Sequence, residues 1–205
     1  MHYGLLNRLD RETSGPVIVV KNEEFFWKIK RTRDMHDWHK EYVCLVHGHV
    51  PVEQWEGVLE NYMVQIKSSN GKSSTTHVVD RREPGATDAK SISQVLKYYV
   101  GPIENRSAGF DNDGHPKRFK FEPRYTLVKV RIVTGRMHQI RVHMHHWLSN
   151  LGGQIGSGED FGIVSDFEYL RRETSERDRE TLIHTGHFHT GHLINARRLL
   201  FHKCW

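Results

Sequence analysis

Hydrophobic and polar residues alternate along two stretches of the chain, residues 40–49 and 125–133, a pattern that is typical of half-buried β-strands. Residues 58–66 form another possible strand. A β-branched run at residues 16–21 opens on a proline, which a strand tolerates at its first position. We therefore predict a strand at each of these four places, and a last apolar element at residues 193–201.

Apolar residues at helical spacing predict two helices, at residues 22–33 and 139–148. The apolar residues within 88–100 fit a helical period, but the segment also fits a buried strand. Residues 101–123 are polar and lack periodicity, which predicts a long surface loop. Residues 159–180 hold eight acidic and four basic residues, which favours a solvated helical insertion.

The length of 205 residues allows one substantial hydrophobic core. No low-complexity linker divides the chain, so we predict a single domain over residues 1–205, with polar insertions at about 101–123 and 157–190. Charged residues make up 27% of the chain and apolar runs are short, which argues against a membrane-embedded protein. Two cysteines that lie far apart, with no signal-peptide pattern, favour a reduced intracellular compartment.

Basic residues are concentrated between residues 117 and 141, where eight of them accompany one acidic residue. The eight are Lys117, Arg118, Lys120, Arg124, Lys129, Arg131, Arg136 and Arg141. Grouped positive charge attracts phosphates and releases counterions, so this basic stretch suits an RNA or DNA ligand. A solvated basic face would have the same composition, and charge alone does not separate the two interpretations.

A first candidate for chemistry is Asp10, which lies in a turn-like segment just before a predicted strand. Gly15 allows a tight turn there, and Arg8 and Arg11 could keep the carboxylate ionised. An ordinary surface turn with a salt bridge has the same residues, and without further context that simpler interpretation is favoured.

A second candidate is the segment Thr134-Gly-Arg-Met-His-Gln-Ile-Arg-Val-His143, which follows a predicted strand and opens a predicted helix. A turn ahead of a helix can present backbone amides to an anion, and Arg136 and Arg141 add bidentate donors. A basic helix start without any ligand fits the segment equally well.

Histidines form two groups at spacings that can bind zinc. The groups are His143, His145 and His146, and His184, His187, His189 and His192. Neither an HExxH helix nor a cysteine pair accompanies them, so we expect solvated histidines and no metal site.

Together the first two candidate segments resemble the RluA-type family of RNA pseudouridine synthases. The family's RLDxxTSG motif matches residues 8–15, its KxY motif residues 40–42 and its TGRxHQIRVH motif residues 134–143. Residues 89–96 and 194–201 are similar to two weaker family elements. All five occur in the family's order and span nearly the whole chain.

The resemblance implies an α+β fold, with a mixed, largely antiparallel sheet flanked by helices and an RNA cleft across one face. On that ground we predict a strand at residues 88–100. The family has a strand and a KPxG-like segment before the RLDxxTSG motif, whereas here only seven residues precede that motif. We therefore expect the sheet to lack its usual N-terminal strand. Residues 156–162 are only loosely similar to the family's GDxxYG turn.

The activity that the resemblance implies is isomerisation of uridine to pseudouridine in structured RNA, either rRNA or tRNA. Asp10 would be the essential carboxylate, acting on the ribose as nucleophile or as proton acceptor. Arg141 would pair with Asp10 and orient it. Tyr42 would stack on the uracil and could take a proton from the intermediate.

The resemblance also implies a set of residues that bind the RNA: Arg8, Arg136, His138 and Gln139, with the basic stretch contacting backbone phosphates. It requires neither a metal nor an organic cofactor. We expect a monomer with RNA as its partner and no membrane attachment. The cytoplasm is the simplest location, with an organelle or the nucleus left open.

Two rival functions are compatible with the sequence. The first is a non-catalytic RNA-binding protein on the same fold, and the second is a zinc-dependent hydrolase built on the histidine groups. Replacing Asp10 would separate the first from an enzyme, and metal analysis would decide the second.

Overall fold

A computed structural model describes residues 4–34, 38–101, 104–110, 113–155, 160–184 and 194–201. The strands are β1 Trp38–His47, β2 Glu56–Lys67, β3 Ser74–Val79, β4 Thr87–Val100, β5 Glu104–Phe110, β6 Pro116–Phe121, β7 Arg124–Ile132 and β8 Ile194–Phe201. The helices are α1 Glu23–Asp34, α2 Gln139–Leu151 and α3 Arg172–His184. None of the helices in these ranges is long and apolar enough to cross a membrane.

Six strands form one sheet in the order β3-β2-β4-β7-β1-β8, and every pairing in it is antiparallel. The predicted α+β class is therefore confirmed, as are the predicted strands that overlap β1, β2, β4 and β7 and the predicted helices that overlap α1 and α2. β8 corresponds to the predicted last apolar element. The ambiguous segment 88–100 is strand β4, as the resemblance implied.

The core lies between this sheet and α2. Along β7 every second side chain is buried, from Thr126 to Ile132, because successive side chains of a strand point to opposite faces. Ile140, Met144 and Leu148 of α2 pack on that buried face at helical spacing. Gln139, in the first turn of α2, also bonds to Lys90 and Ser91, which fastens that turn to β4.

The strand predicted at residues 16–21 is wrong. Only a single bridge joins Val19 to Leu5, and the side chains of Val17 and Val19 are 46% and 61% exposed. Two backbone hydrogen bonds flank this bridge, from the Leu6 amide to the Ile18 carbonyl and from the Val20 amide to the Gly4 carbonyl. Pro16 has no amide hydrogen with which to extend the pairing.

The surface loop predicted at residues 101–123 is also wrong, because much of it is a hairpin of β5 and β6. Arg106 pairs with Phe119 in its register, and Gly114 adopts a φ of 79° in the connection. The hairpin is a two-stranded sheet separate from the six-stranded one. Its two strands are short and mostly polar, so they lack the long alternating run that marks a strand in sequence.

Residues 159–180 are only in part the solvated helix that their charge predicted. The described part before α3 is irregular, and Phe161, Ile163, Val164 and Leu170 are buried there. Two of the acidic residues, Asp166 and Asp178, are 1% and 5% exposed. Acidic composition misled the prediction because buried carboxylates accept hydrogen bonds here instead of facing water.

Asp178 attaches this segment to the sheet through His47 at the end of β1. The His47 Nε2 lies 3.0 Å from the Asp178 carboxylate, and Nδ1 lies 3.0 Å from the Gly162 carbonyl. Asp178 also accepts the Ser165 amide at 2.8 Å. Burial lowers the pKa of His47, but the Asp178 carboxylate and the Gly162 carbonyl more than offset this, so the pKa is raised overall.

A folded-state pKa above the unfolded value means that the fold gains stability when His47 is protonated. This gain is fully present below the ordinary histidine pKa and is lost as pH rises through the raised value. We therefore expect His47→Gln to lower the free energy of unfolding by roughly 1–3 kcal/mol at pH 6, and by less at pH 9. Urea unfolding at both pH values measures this. An equal loss at pH 6 and pH 9 would contradict the assignment.

Candidate active site

The Asp10 carboxylate lies on a turn that the N-terminal segment closes on itself. The Thr13 amide donates to the Asp10 carbonyl at 3.0 Å. The Asn7 side chain donates to the Pro16 carbonyl at 3.1 Å and accepts from the Ile18 amide at 2.8 Å. The Asp10 side chain is 33% exposed, so a ligand can reach it from solvent.

Arg141, in the first turn of α2, faces this carboxylate from the interior. Its side chain is 3% exposed, and its Nη1 lies 3.9 Å from Asp10 Oδ2. That distance allows electrostatic attraction but exceeds hydrogen-bonding range. Asp166 accepts from Arg141 Nε at 2.8 Å and also from Nη2, and Glu168 lies 2.8 Å from Nη1. The structure thus brings Arg141 and Asp10 together, but Asp166 is the principal partner of the guanidinium.

Tyr169 completes the surroundings of Arg141. The guanidinium carbon of Arg141 lies 4.9 Å from the centre of the Tyr169 ring, a geometry that favours a cation. The Tyr169 hydroxyl accepts the Thr76 amide at 3.0 Å and lies 2.9 Å from His138 Nδ1. Burial is the main cause that raises the pKa of Tyr169 to about 12, so the phenol is neutral. Arg141 is therefore fixed by a carboxylate at its edge and a neutral ring on its face.

Tyr42 lies in β1, opposite Val130 of β7, on the face that α2 covers. It is partly buried against the core. Burial, and then the negative charge of Asp10, raises the pKa of Tyr42. The phenol is accordingly protonated at neutral pH. It lies close enough to Asp10 for the carboxylate charge to affect its pKa.

Gln139 holds the turn that precedes α2. It is 3% exposed, and its side-chain oxygen accepts from the Thr134 hydroxyl at 2.8 Å and from the Arg136 amide at 2.9 Å. Its side-chain nitrogen donates to the Lys90 carbonyl and the Ser91 hydroxyl of β4. The structure therefore places Gln139 in the interior, where it fastens the turn to the sheet.

Arg136 and His138 lie on the same turn but nearer the surface. Arg136 donates from Nε to the Asp88 carbonyl at 2.7 Å and from Nη2 to its carboxylate at 2.9 Å. His138 has a φ of 53°, a left-handed conformation that is uncommon for a residue with a side chain. Its ring is 15% exposed and lies 3.5 Å from a carboxylate oxygen of Glu168. Tyr169 and Glu168 thus hold this ring at the edge of the site.

The basic residues divide between different surfaces. Arg8 is exposed beside Asp10, whereas Arg11 bonds to Glu12 at 2.6 Å. Lys129 and Arg131 alternate with the buried Val128, Val130 and Ile132, so they lie on the face of β7 away from α2. The side chains of Lys117, Arg118 and Lys120 lie outside the described residues. The described part of the basic stretch is therefore not one continuous surface.

The first histidine group does not form a shared site. Within the described ranges, no three histidine, cysteine, aspartate or glutamate side chains are grouped to hold a metal ion. The rings bond to separate groups: His143 to the Ser91 hydroxyl, His145 to the Phe161 carbonyl and His146 to the Asn150 amide. Burial, and then His146, lowers the pKa of His143 to about 4, so its ring is neutral. The second histidine group lies outside the described side chains.

Sequence reasoning missed Asp166, Glu168 and Tyr169, although all three contact Arg141. The high charge of residues 159–180 predicted solvation and concealed them. A signal was available in the apolar residues at 161–164, which interrupt the acidic run immediately before Asp166. Residues 156–162, which are only loosely similar to the family's GDxxYG turn, are only partly described.

Comparison with known proteins identifies the family. The family model for RNA pseudouridylate synthase matches residues 1–146, so the chain belongs to the RNA pseudouridylate synthase family. An RNA pseudouridine synthase of Helicobacter pylori is 32% identical over 145 residues, which cover 70% of this chain and 46% of that protein. The ribosomal large subunit pseudouridine synthase C of Yersinia pestis is 29% identical over 147 residues, 69% of this chain and 35% of that protein.

Other relatives support the fold over more of the chain. The tRNA pseudouridine synthase C of Yersinia pestis is 22% identical over 208 residues, 100% of this chain and 69% of that protein. The structure of human RNA pseudouridylate synthase domain containing 1 superposes with a TM-score of 0.61 at 20% identity, covering 95% of this chain and 62% of that one. The chain spans less than half of the length of the Helicobacter pylori protein and of the Yersinia pestis large subunit synthase.

Proposed function

We propose that this chain converts uridine to pseudouridine in structured RNA, with Asp10 as the essential carboxylate. The observation that carries the proposal is that Asp10 is 33% exposed while the cation behind it, Arg141, is 3% exposed. Asp166 fixes that cation from the interior. A carboxylate that faces solvent in front of a fixed cation can receive a ribose without losing its own position.

The reaction requires uridine to leave the base stack before its glycosidic bond can be reached. The bond between the ribose and N1 then breaks, the base turns, and C5 is joined to the ribose. N1 gains a proton and C5 loses one, so the atoms balance. Asp10 acts on the ribose in this proposal, as nucleophile or as proton acceptor, and both roles require an ionised carboxylate. Arg141 lies 3.9 Å from this carboxylate and attracts its negative charge.

Tyr42 is proposed to stack on the uracil and to handle the proton that leaves C5. Its raised pKa keeps the hydroxyl protonated, so the oxygen can take up a proton only as it gives its own to a base. Asp10 is the carboxylate whose charge acts on this hydroxyl. A relay from C5 through the Tyr42 hydroxyl to Asp10 is consistent with that pairing.

Replacing Tyr42 with phenylalanine keeps the ring for stacking and removes the hydroxyl. We expect kcat to fall about a hundredfold, the lower end of the usual contribution of a general acid or base, with KM nearly unchanged. Single-turnover and steady-state rates of pseudouridine formation measure both. Tyr62→Phe, in β2, is a matched control for loss of a partly buried tyrosine hydroxyl. An unchanged kcat in Tyr42→Phe would limit Tyr42 to stacking.

Contacts to the RNA backbone are proposed for Arg8, Arg136 and His138, which lie beside Asp10 or on the turn that leads to Arg141. Arg136 is held on Asp88, which orients its guanidinium before RNA binds. Gln139 serves the proposed enzyme by fastening this turn, not by contacting RNA, because its side chain is buried and already bonded.

The proposed substrate class is ribosomal or transfer RNA, because relatives named for both kinds of RNA match the chain. We propose a monomer that acts inside the cell with residues 1–205 as one catalytic domain. The proposed chemistry proceeds at protein side chains alone and uses no organic cofactor.

Release of hydrogen from C5 of uridine tests the proposal, because C5 loses its hydrogen when it is joined to the ribose. Purified protein is incubated with RNA that carries tritium at C5 of uridine, taken from cells that lack the gene. We expect tritium to appear in water and to reach a plateau that corresponds to a few sites. Release no greater than in a protein-free control, for both ribosomal and transfer RNA pools, would contradict the proposal.

A further inference from the structure

Three carboxylates surround the single guanidinium of Arg141. Asp166 occupies the Nε and Nη2 edge, Glu168 lies 2.8 Å from Nη1, and Asp10 lies 3.9 Å from the same Nη1. One positive charge therefore faces three negative charges. Because Glu168 lies nearer to Nη1 than Asp10 does, the electrostatic attraction between Arg141 and Glu168 is stronger than that between Arg141 and Asp10.

Arg141 is held in place, so its distances to Glu168 and Asp10 are fixed from its own side. Its guanidinium is held in a bidentate pair by Asp166, whose side chain is 1% exposed, and Tyr169 covers its face. Glu168 is held as well, because it follows Asp166 by two residues and its amide donates to the Asp166 carboxylate at 3.2 Å. Asp10, on a partly exposed turn, is thus the member of the cluster with room to move.

We propose that Glu168 is a positioning residue that neutralises the Nη1 edge of Arg141 and so keeps Asp10 out of a closed ion pair. This inference rests on Asp10 being the reactive carboxylate of the proposed function. A carboxylate locked in a hydrogen-bonded ion pair is less basic and less nucleophilic than one that is only attracted by the cation. Glu168 in this way leaves Asp10 oriented toward Arg141 and free to act on the ribose.

Other titratable groups lie around this cluster. They include Tyr42 of β1, His138 before α2 and Tyr169 beneath Arg141, and the Arg11 guanidinium lies 6.0 Å from the ring of Phe167, which lies between Asp166 and Glu168 in sequence. Both phenols have raised pKa values and remain neutral near pH 7. His138 lies 3.5 Å from Glu168, so a positive charge on its ring would compete with Arg141 for that carboxylate. Every variant is therefore compared at one pH, pH 8.

A stability cycle at pH 8 tests the inference without requiring activity. Asp10→Asn is made in the native protein and in the Glu168→Gln protein, and urea midpoints are compared. We expect Asp10→Asn to leave the midpoint nearly unchanged in the native background, where Asp10 makes no hydrogen bond to Arg141. In the Glu168→Gln background it should lower the midpoint clearly, because Asp10 has then closed onto Nη1. Equal effects of Asp10→Asn in both backgrounds would overturn the inference.

Glu168→Asp provides a second background if Glu168→Gln folds poorly, because it keeps the charge and shortens its reach. It should give a midpoint change between those of the other two backgrounds, and no change at all would count against the inference. Glu176→Gln is the matched control, since it removes an exposed carboxylate bonded to Arg172 on α3. Asp10→Asn should have the same effect in the Glu176→Gln and native backgrounds.

The rate of pseudouridine formation gives a second readout. We expect Glu168→Gln to lower kcat several-fold with KM nearly unchanged, because Asp10 closed onto Nη1 is held away from the ribose. Glu168→Asp should restore part of kcat, and Glu176→Gln should leave kcat unchanged. If the native protein forms no pseudouridine but the stability cycle behaves as expected, the proposed function fails and only the placement of Asp10 by Glu168 stands. An active protein whose kcat is unchanged in Glu168→Gln overturns the inference.

Discussion

Asp166→Ala is expected to lower the free energy of unfolding by about 3 kcal/mol or more. The substitution removes the bidentate partner of Arg141 and leaves a guanidinium whose side chain is 3% exposed with only Glu168 and the more distant Asp10 as anions. A buried charge that loses its main partner cannot be solvated in compensation. Urea or thermal unfolding at neutral pH measures the loss.

Two controls separate this effect from the loss of any carboxylate. Glu176→Ala breaks an Arg–Glu pair whose side chains are 85% and 54% exposed, so it should leave the free energy of unfolding nearly unchanged. The double substitution Asp166→Ala with Arg141→Met removes both buried charges and should recover part of the stability lost in Asp166→Ala alone. A double variant that is no more stable than Asp166→Ala alone would contradict the assignment.

Asp10→Asn is expected to reduce pseudouridine formation about a thousandfold or more, the scale seen when an enzyme loses the group that attacks its substrate. Asparagine has the shape of aspartate but cannot act as an anionic nucleophile or as a base. The turn should survive, because the contacts that close it involve the Asp10 carbonyl and the Asn7 side chain, not the carboxylate.

RNA affinity provides the internal control for Asp10→Asn. Removal of a negative charge next to phosphates should leave binding unchanged or slightly stronger. An enzyme thus loses conversion and keeps binding, whereas a non-catalytic RNA-binding protein has no conversion to lose. Asp80→Asn, on an exposed turn between β3 and β4, should leave both quantities unchanged. Retention of more than about a tenth of native turnover in Asp10→Asn would remove Asp10 from the chemistry.

Much of the sheet could be predicted from the sequence because its strands are half buried. In β7 the apolar side chains alternate with Lys129 and Arg131, and this period is visible without any structure. β4 was different, since its apolar residues also fit a helix and only the resemblance to a known family decided for a strand. β3 was not predicted at all, because Ser74–Val79 is short and polar at the edge of the sheet.

The candidate site could be predicted only where its residues occur in contiguous motifs. Asp10, Tyr42 and Arg141 each belong to a recognisable sequence motif. The structure brings Asp10 near both Arg141 and Tyr42. The partners that fix Arg141 come from a different part of the chain, 25 residues after it in the case of Asp166. A buried carboxylate and a solvated one look alike in an acidic segment, so only tertiary structure could distinguish them.

His47 shows the same limit. In sequence it is a histidine at the end of a predicted strand, with no motif around it. In the structure it joins β1 to Asp178, 131 residues away, and thereby helps to hold the segment that carries Asp166 and Glu168. Long-range polar contacts of this kind leave no periodic signal, and they decide how the site is supported.

Pseudouridine mapping in cellular RNA, with and without the gene, tests the central claim most directly. Cells that lack the gene are supplied with the native protein or with the Asp10→Asn variant at equal levels. We predict that at least one pseudouridine in ribosomal or transfer RNA disappears with the gene, returns with the native protein and stays absent with Asp10→Asn. A pseudouridine map that is the same with and without the gene, or that Asp10→Asn restores, would contradict the claim.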